Sequence, residues 1–224
     1  MISVIEYGEI AIFVILIMAS IIALGVILDR YITIRPHIGK KAACMHQDIL
    51  KGLRSLNSNK YIEKMKDNDS IYTRFTSYCL SKMHESRLGL NELMESRIME
   101  EISAMEKRLP ILNTLGNNAP FIGLLGTVLG VIKAFHGLGM LGNVAAEVVM
   151  RGISSALVAT AAGLFIAVPV VMFNNYFMAR IQEISTNLRI LSKEINAFAA
   201  HSTATVSLTK KKKEGGCHVT RWSE

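Results

Sequence analysis

Apolar residues in this chain gather into three long blocks rather than short alternating runs. Ile10 to Leu28 carries no charge, and neither Leu109 to Ile132 nor Gly152 to Ala179 contains Asp, Glu, Lys or Arg. A helix rising about 1.5 Å per residue needs about 20 such residues to cross a bilayer core. The blocks therefore predict three membrane-spanning helices, over 10–28, 109–139 and 148–179. Between them the period changes. Leu90, Met94, Ile98, Ile102, Met105 and Leu109 recur at steps of three and four, one apolar stripe of an amphipathic helix. Asn91 suits its N-cap, with Glu92 and Glu95 in the first turn where the dipole favours acid. The spacing predicts one helix running unbroken from there into the second span, kinked near Pro110. Ile184, Leu188, Leu191, Ile195 and Phe198 mark a further helix over 180–200. Turn signals fall at 57–59, 67–70 and Gly89.

Charge orients this plan. Arg30, Arg35, Lys40 and Lys41 follow the first block, and Arg180, Arg189 and Lys193 follow the third. The positive-inside rule puts both groups in the cytoplasm. That leaves 1–9 as an outer N-terminus, 29–108 as a cytoplasmic helical domain and 140–147 as an outer turn. The tail, 201–224, is Ser/Thr-rich, then carries Lys210 to Lys213 and Gly-Gly, and is expected to be disordered. Its Lys run reads better as a solvated positive tail than as a lipid contact. The fold class is thus an all-α membrane protein: three transmembrane helices with long cytoplasmic helical extensions.

Composition agrees. Half of the 224 residues are hydrophobic and the mean hydropathy is +0.33. The net charge of +7 comes without an aromatic platform among the basic residues, which argues against nucleic acid as a partner. Three dispersed cysteines and six scattered histidines show no metal spacing, so neither a metal nor a cofactor is expected. There is no GxSxG, HExxH or phosphate loop, and an enzyme is not expected.

The spans are apolar but not plain. Gly116, Gly123, Gly130 and Gly137 lie seven residues apart, with Gly126 beside the row. Gly163 lies on a small face of the third span with Ala156, Thr160 and Ala167. Small residues let membrane helices approach closely, so Gly116, Gly123, Gly126, Gly130 and Gly163 are candidate packing positions. Asn113, Asn117 and Thr127 share an arc of about 80° on another face. Two readings are open for these polar groups and Thr160. They are helix–helix glue, or they line a polar path whose proton carrier belongs to another subunit, since the uncharged parts of the spans hold no acid.

The stretches APFIGLLGTVLGVIKAF (Ala119–Phe135) and GISSALVATAAGLFIAVPVVMFNNYF (Gly152–Phe177) resemble the MotA/TolQ/ExbB proton-channel family, on its ExbB/TolQ branch. Three spans rather than four disfavour the MotA side. The resemblance implies a homo-oligomeric helical channel, pentameric in the family, in the inner membrane of a bacterium. It implies an ExbD/TolR-like single-span partner carrying a membrane Asp, and a TonB/TolA-like protein that receives the work. Thr127 and Thr160 match the family's pore-facing threonines. Ser155 stands where the family often has a Glu in a GIxEAL stretch, and joins the candidate channel-lining set. The rival reading is a passive oligomeric scaffold for a partner helix.

Overall fold

The computed structural model describes residues 2–54, 70–83, 86–138 and 145–214. All six elements among them are α-helices: α1 (Ile2–Ile38), α2 (Lys40–Arg54), α3 (Ile71–Ser81), α4 (Arg87–Glu106), α5 (Leu109–Leu138) and α6 (Ala145–Glu214). Stretches within Tyr7–Ile38, Leu109–His136 and Val149–Ala200 are long and apolar enough to cross a membrane. The chain divides into two compact units, Met1–Ile34 with Ala104–Ile181, and Arg35–Ser103 with Gln182–Glu224.

The first unit holds the apolar parts of α1, α5 and α6. Lipid is as apolar as Leu, so burial of apolar surface gives little drive for these helices to associate, and close contact must do so. Its buried positions are accordingly often small: Ala19, Ala23, Ala119, Ala134, Ala156, Ala159 and Ala167. The large side chains, such as Ile17, Ile21, Phe121, Leu157 and Phe165, point outward. Ile12 and Leu16 of α1 close on Ala119 and Ala167, flanked by Ile122, Leu129, Ala162 and Ile166.

The approach of α5 to α6 is set by glycine. A Cβ on Gly123 would lie 2.8 Å from the Ala159 carbonyl oxygen and 3.2 Å from Gly163 Cα. One on Gly163 would lie 2.7 Å from the Ala119 carbonyl oxygen. These neighbours are backbone and cannot rotate away. Gly126 and Gly130 face Ala159 and Ala156, and Gly116 faces Val170 and Val171. Gly152, which the sequence did not single out, faces Ala134 in the same way.

At one end of this unit, Arg30 is buried and donates to the carbonyls of Ala104 (3.3 Å) and Met105 (3.2 Å). Asp29 accepts from Arg30 at 2.8 Å and from Arg108 at 3.0 Å. Arg108 has φ 74°, and α4 ends before it. The single helix expected to run through Pro110 is therefore two helices. Pro110 has no N–H to give Glu106 and its ring crowds that carbonyl. Arg30 satisfies the carbonyls that the break leaves open.

The second unit is built on the expected stripes. Leu90, Met94 and Ile98 of α4 are buried, as are Ile184, Leu188, Leu191 and Ile195 of α6. Ile49, Ile71, Phe75 and Cys79 complete the core from α2 and α3. Each fully buried Leu or Ile contributes about 1.5–3 kcal/mol relative to exposure. The start of α4 corrects the expectation for Asn91. Ser86 is the cap: its Oγ accepts from Gly89 N–H at 3.2 Å and its carbonyl from Leu90 N–H at 2.8 Å. Gly89 sits in the first turn, where its low helix propensity is tolerated. Asn91 instead accepts from the Asn196 side chain at 2.6 Å. The tail is also corrected in part, because α6 continues to Glu214 where disorder was expected. Between His201 and Glu214 there is neither Gly nor Pro to stop a helix, and Gly215 follows. The turn signals at 57–59 and 67–69 and most of the turn 140–147 lie outside the described residues.

Candidate functional site

The polar residues singled out in the sequence of the spans fall into three groups in the first unit. The central one is a hydroxyl pair across the α5–α6 contact. Thr160 Oγ lies 3.1 Å from the Gly123 carbonyl and 3.3 Å from Thr127 Oγ, with its single proton shared between them. Thr127 donates to the Leu124 carbonyl of its own helix at 2.6 Å and accepts from Thr160. The glycine contact makes this possible: Thr160 reaches the Gly123 backbone because neither Gly123 nor Gly163 has a side chain in the way. A hydroxyl can pass or hold hydrogen bonds but does not titrate near neutral pH.

The second group is Asn113 and Asn117, one helical turn apart on α5 and exposed on this chain. Asn117 donates to Asn113 at 3.3 Å. Asn117 lies ten residues before Thr127, about 15 Å along the axis. The structure joins each pair but does not hydrogen-bond one pair to the other.

The third group places Ser155 with partners the sequence did not suggest. Ser155 Oγ donates to Glu9 Oε1 at 2.7 Å, and Lys133 Nζ lies 3.0 Å from Glu9 Oε2. The Glu9 side chain is 15% exposed. With Glu147, Arg151 and Gly152 these residues line a cavity of about 500 Å³. Glu9 was assigned to an aqueous terminus because it stands one residue before the apolar run. Helix α1 begins at Ile2, so Glu9 is held on it beside α5 and α6. The uncharged parts of the spans still hold no acid, because Glu9 stands one residue before the first of them. Lys133 was the available signal, since an ammonium at the end of a span asks for a counter-ion.

Asn174 was also missed. It is buried on α6 and its Oδ1 has no hydrogen-bond partner. Among the described residues, no three His, Cys, Asp or Glu side chains group as metal ligands.

Residues 63–190, more than half of the chain, match the MotA/TolQ/ExbB proton channel family. The chain belongs to that family. Its relatives place it on the ExbB/TolQ branch. It is 29% identical to a biopolymer transport protein ExbB of Neisseria meningitidis over 205 residues, 85% of this chain and 88% of the relative. It is 30% identical to the ExbB of Neisseria gonorrhoeae over 159 residues, 65% of this chain and 69% of the relative. It is 41% identical to the Tol-Pal system protein TolQ of Pseudomonas aeruginosa over 92 residues, which span 41% of this chain but only 40% of that protein. The family is one of proton channels, and the hydroxyl pair lies within the matched residues.

Proposed function

We propose that this chain is the proton-channel subunit of an energy-transducing complex in a bacterial inner membrane. The α5–α6 turn and the N-terminus face the periplasm, and the basic ends of the spans face the cytoplasm. Copies of the chain form a ring, a pentamer by family resemblance, around an ExbD/TolR-like single-span partner. That partner supplies a membrane Asp, and the work passes to a TonB/TolA-like protein. The observation that carries this reading is the Thr127–Thr160 pair, two hydroxyls meeting across a glycine contact. They can relay or solvate a proton but cannot store one, so a titrating carboxylate must come to them. Thr127 and Thr160 line the path near its middle. Asn113, Asn117 and Asn174 extend it towards the cytoplasm, and Ser155 towards the periplasm.

Co-expression with a single-span protein bearing a membrane Asp tests this reading. The two proteins should co-purify from detergent. Thr127→Val with Thr160→Val should abolish the proton-dependent activity while leaving the complex assembled. Activity that survives both changes would leave only the scaffold reading.

A further inference from the structure

We propose that Asn174 holds a water molecule inside the first unit, and that this internal water carries protons along the cytoplasmic arm of the path. The inference rests on the channel reading above and names the ligand of one position in it.

The pattern around Asn174 asks for an apolar residue there. Val170, Asn174, Phe177 and Ile181 follow one another at steps of four, three and four, and all are buried. Asn174 shares this inward face of α6 and is 9% exposed. It stands within the uncharged run 152–179, six residues before Arg180. A side-chain amide in such a place is normally held by a donor on a neighbouring helix. Among the described residues its Oδ1 has none.

The glycine contact fixes the level at which Asn174 sits. Gly130, Gly123 and Gly116 of α5 face Ala156, Ala159 and Val170 of α6 in turn, so the two helices run antiparallel. One turn beyond Gly116 and Val170 come Leu112 and Asn174, and Leu112 is fully buried. Asn113 and Asn117 flank the same level on the exposed side of α5. Three amides thus lie near one depth, two on the outside of the unit and one within it.

A contact with another copy of the chain is poorly served by a side chain that its own chain already covers. Helix–helix glue needs the donor that Oδ1 lacks. A water molecule supplies that donor, and the amide NH2 can donate onward. The amide does not titrate near neutral pH, so Asn174 orients and solvates a moving proton without retaining it. It costs the fold stability and serves conduction.

Stability and flux should therefore move in opposite directions when the amide is removed. Asn174→Leu matches it in shape, Asn174→Val is smaller, and Asn174→Ser keeps a hydroxyl that both accepts and donates. Each variant is co-expressed with the single-span partner and checked for assembly by co-purification. It is then melted in detergent and assayed for proton flux into proteoliposomes with a trapped pH-sensitive dye. The better-packed of the two apolar variants should raise Tm by about 2–8 °C, because a buried unsatisfied group is lost. It should lower flux about tenfold, the effect of roughly one hydrogen bond withdrawn from the moving proton. Asn174→Ser should keep flux within about threefold of the unaltered complex. A fall in Tm for both apolar variants overturns the proposal, since it shows the amide to be partnered in the assembly. A rise in Tm with flux unchanged also overturns it, and so does a serine variant as impaired as the apolar ones. Thr127→Val with Thr160→Val is measured alongside. If that pair loses flux and the Asn174 variants do not, the proposal for Asn174 alone fails. If the unaltered complex carries no flux, the channel reading fails and takes this proposal with it.

Discussion

Gly163→Ala adds one methyl group where α5 and α6 touch. The new Cβ would lie 2.7 Å from the Ala119 carbonyl oxygen, 3.1 Å from Gly123 Cα and 3.3 Å from Gly123 N. Ordinary contact begins at 3.4 Å, so the helices must part by about 0.7 Å. The Thr160 contacts at 3.1 and 3.3 Å would then stretch towards 4 Å and cease to be hydrogen bonds. Overpacking of this kind costs about 1–3 kcal/mol, and a lost interhelical hydrogen bond about 0.6 kcal/mol more. At roughly 2–4 °C per kcal/mol for a chain of this size, Tm should fall by about 3–14 °C. The assay is thermal unfolding of the purified protein in detergent. Gly25→Ala is the internal control, because a Cβ there meets nothing within 4 Å. It should leave Tm level or raise it slightly, since Ala is the better helix former. If both variants behave alike, glycine does not set the approach of these helices and the account of the threonine pair loses its basis.

The second unit offers two further predictions. His46 is buried against Tyr72 with its Nε2 unpartnered, and burial lowers its pKa below the usual histidine value, opposed by a backbone hydrogen bond with Asn187. The unfolded chain therefore takes up the proton first. Stability should be at its full value above about pH 6.5 and fall as pH drops below it, a slope seen by denaturant unfolding and removed by His46→Phe. Cys79 is fully buried, and burial pushes its thiol up to about 12, whereas Cys44 is exposed. In a Cys217→Ser background, maleimide at pH 7.5 should label Cys44 within minutes and Cys79 only on unfolding. Equal labelling would contradict the packing of α3.

Much of this architecture is legible from residue spacing, because its causes are local. The three uncharged blocks and the stripes at Leu90–Ile98 and Ile184–Ile195 follow directly from length and period. What was not legible depends on distant partners. The break at Arg108 needs Arg30, more than 70 residues earlier, to satisfy the carbonyls of α4. Before such a partner is known, Pro110 reads only as a kink. The start of α4 turns on a choice between two adequate caps, Ser86 and Asn91, and cross-helix pairing of Asn91 with Asn196 leaves Ser86 for the role. Glu9 escaped notice because counting charges within a span ignores the residue just outside it. Its meaning comes from Lys133, 124 residues away, and Ser155, 146 residues away.

The central claim is that the Thr127–Thr160 hydroxyls carry protons rather than only hold helices together. The most direct measurement is proton flux through the reconstituted complex with Thr127 and Thr160 replaced together, once by Val and once by Ser. Valine keeps the shape and removes the hydroxyls, while serine keeps the hydroxyls and removes the methyls. The account predicts at least a tenfold loss for the Val pair and retention of most flux for the Ser pair, with both complexes assembled. Equal flux in the Val pair and the unaltered protein would contradict it.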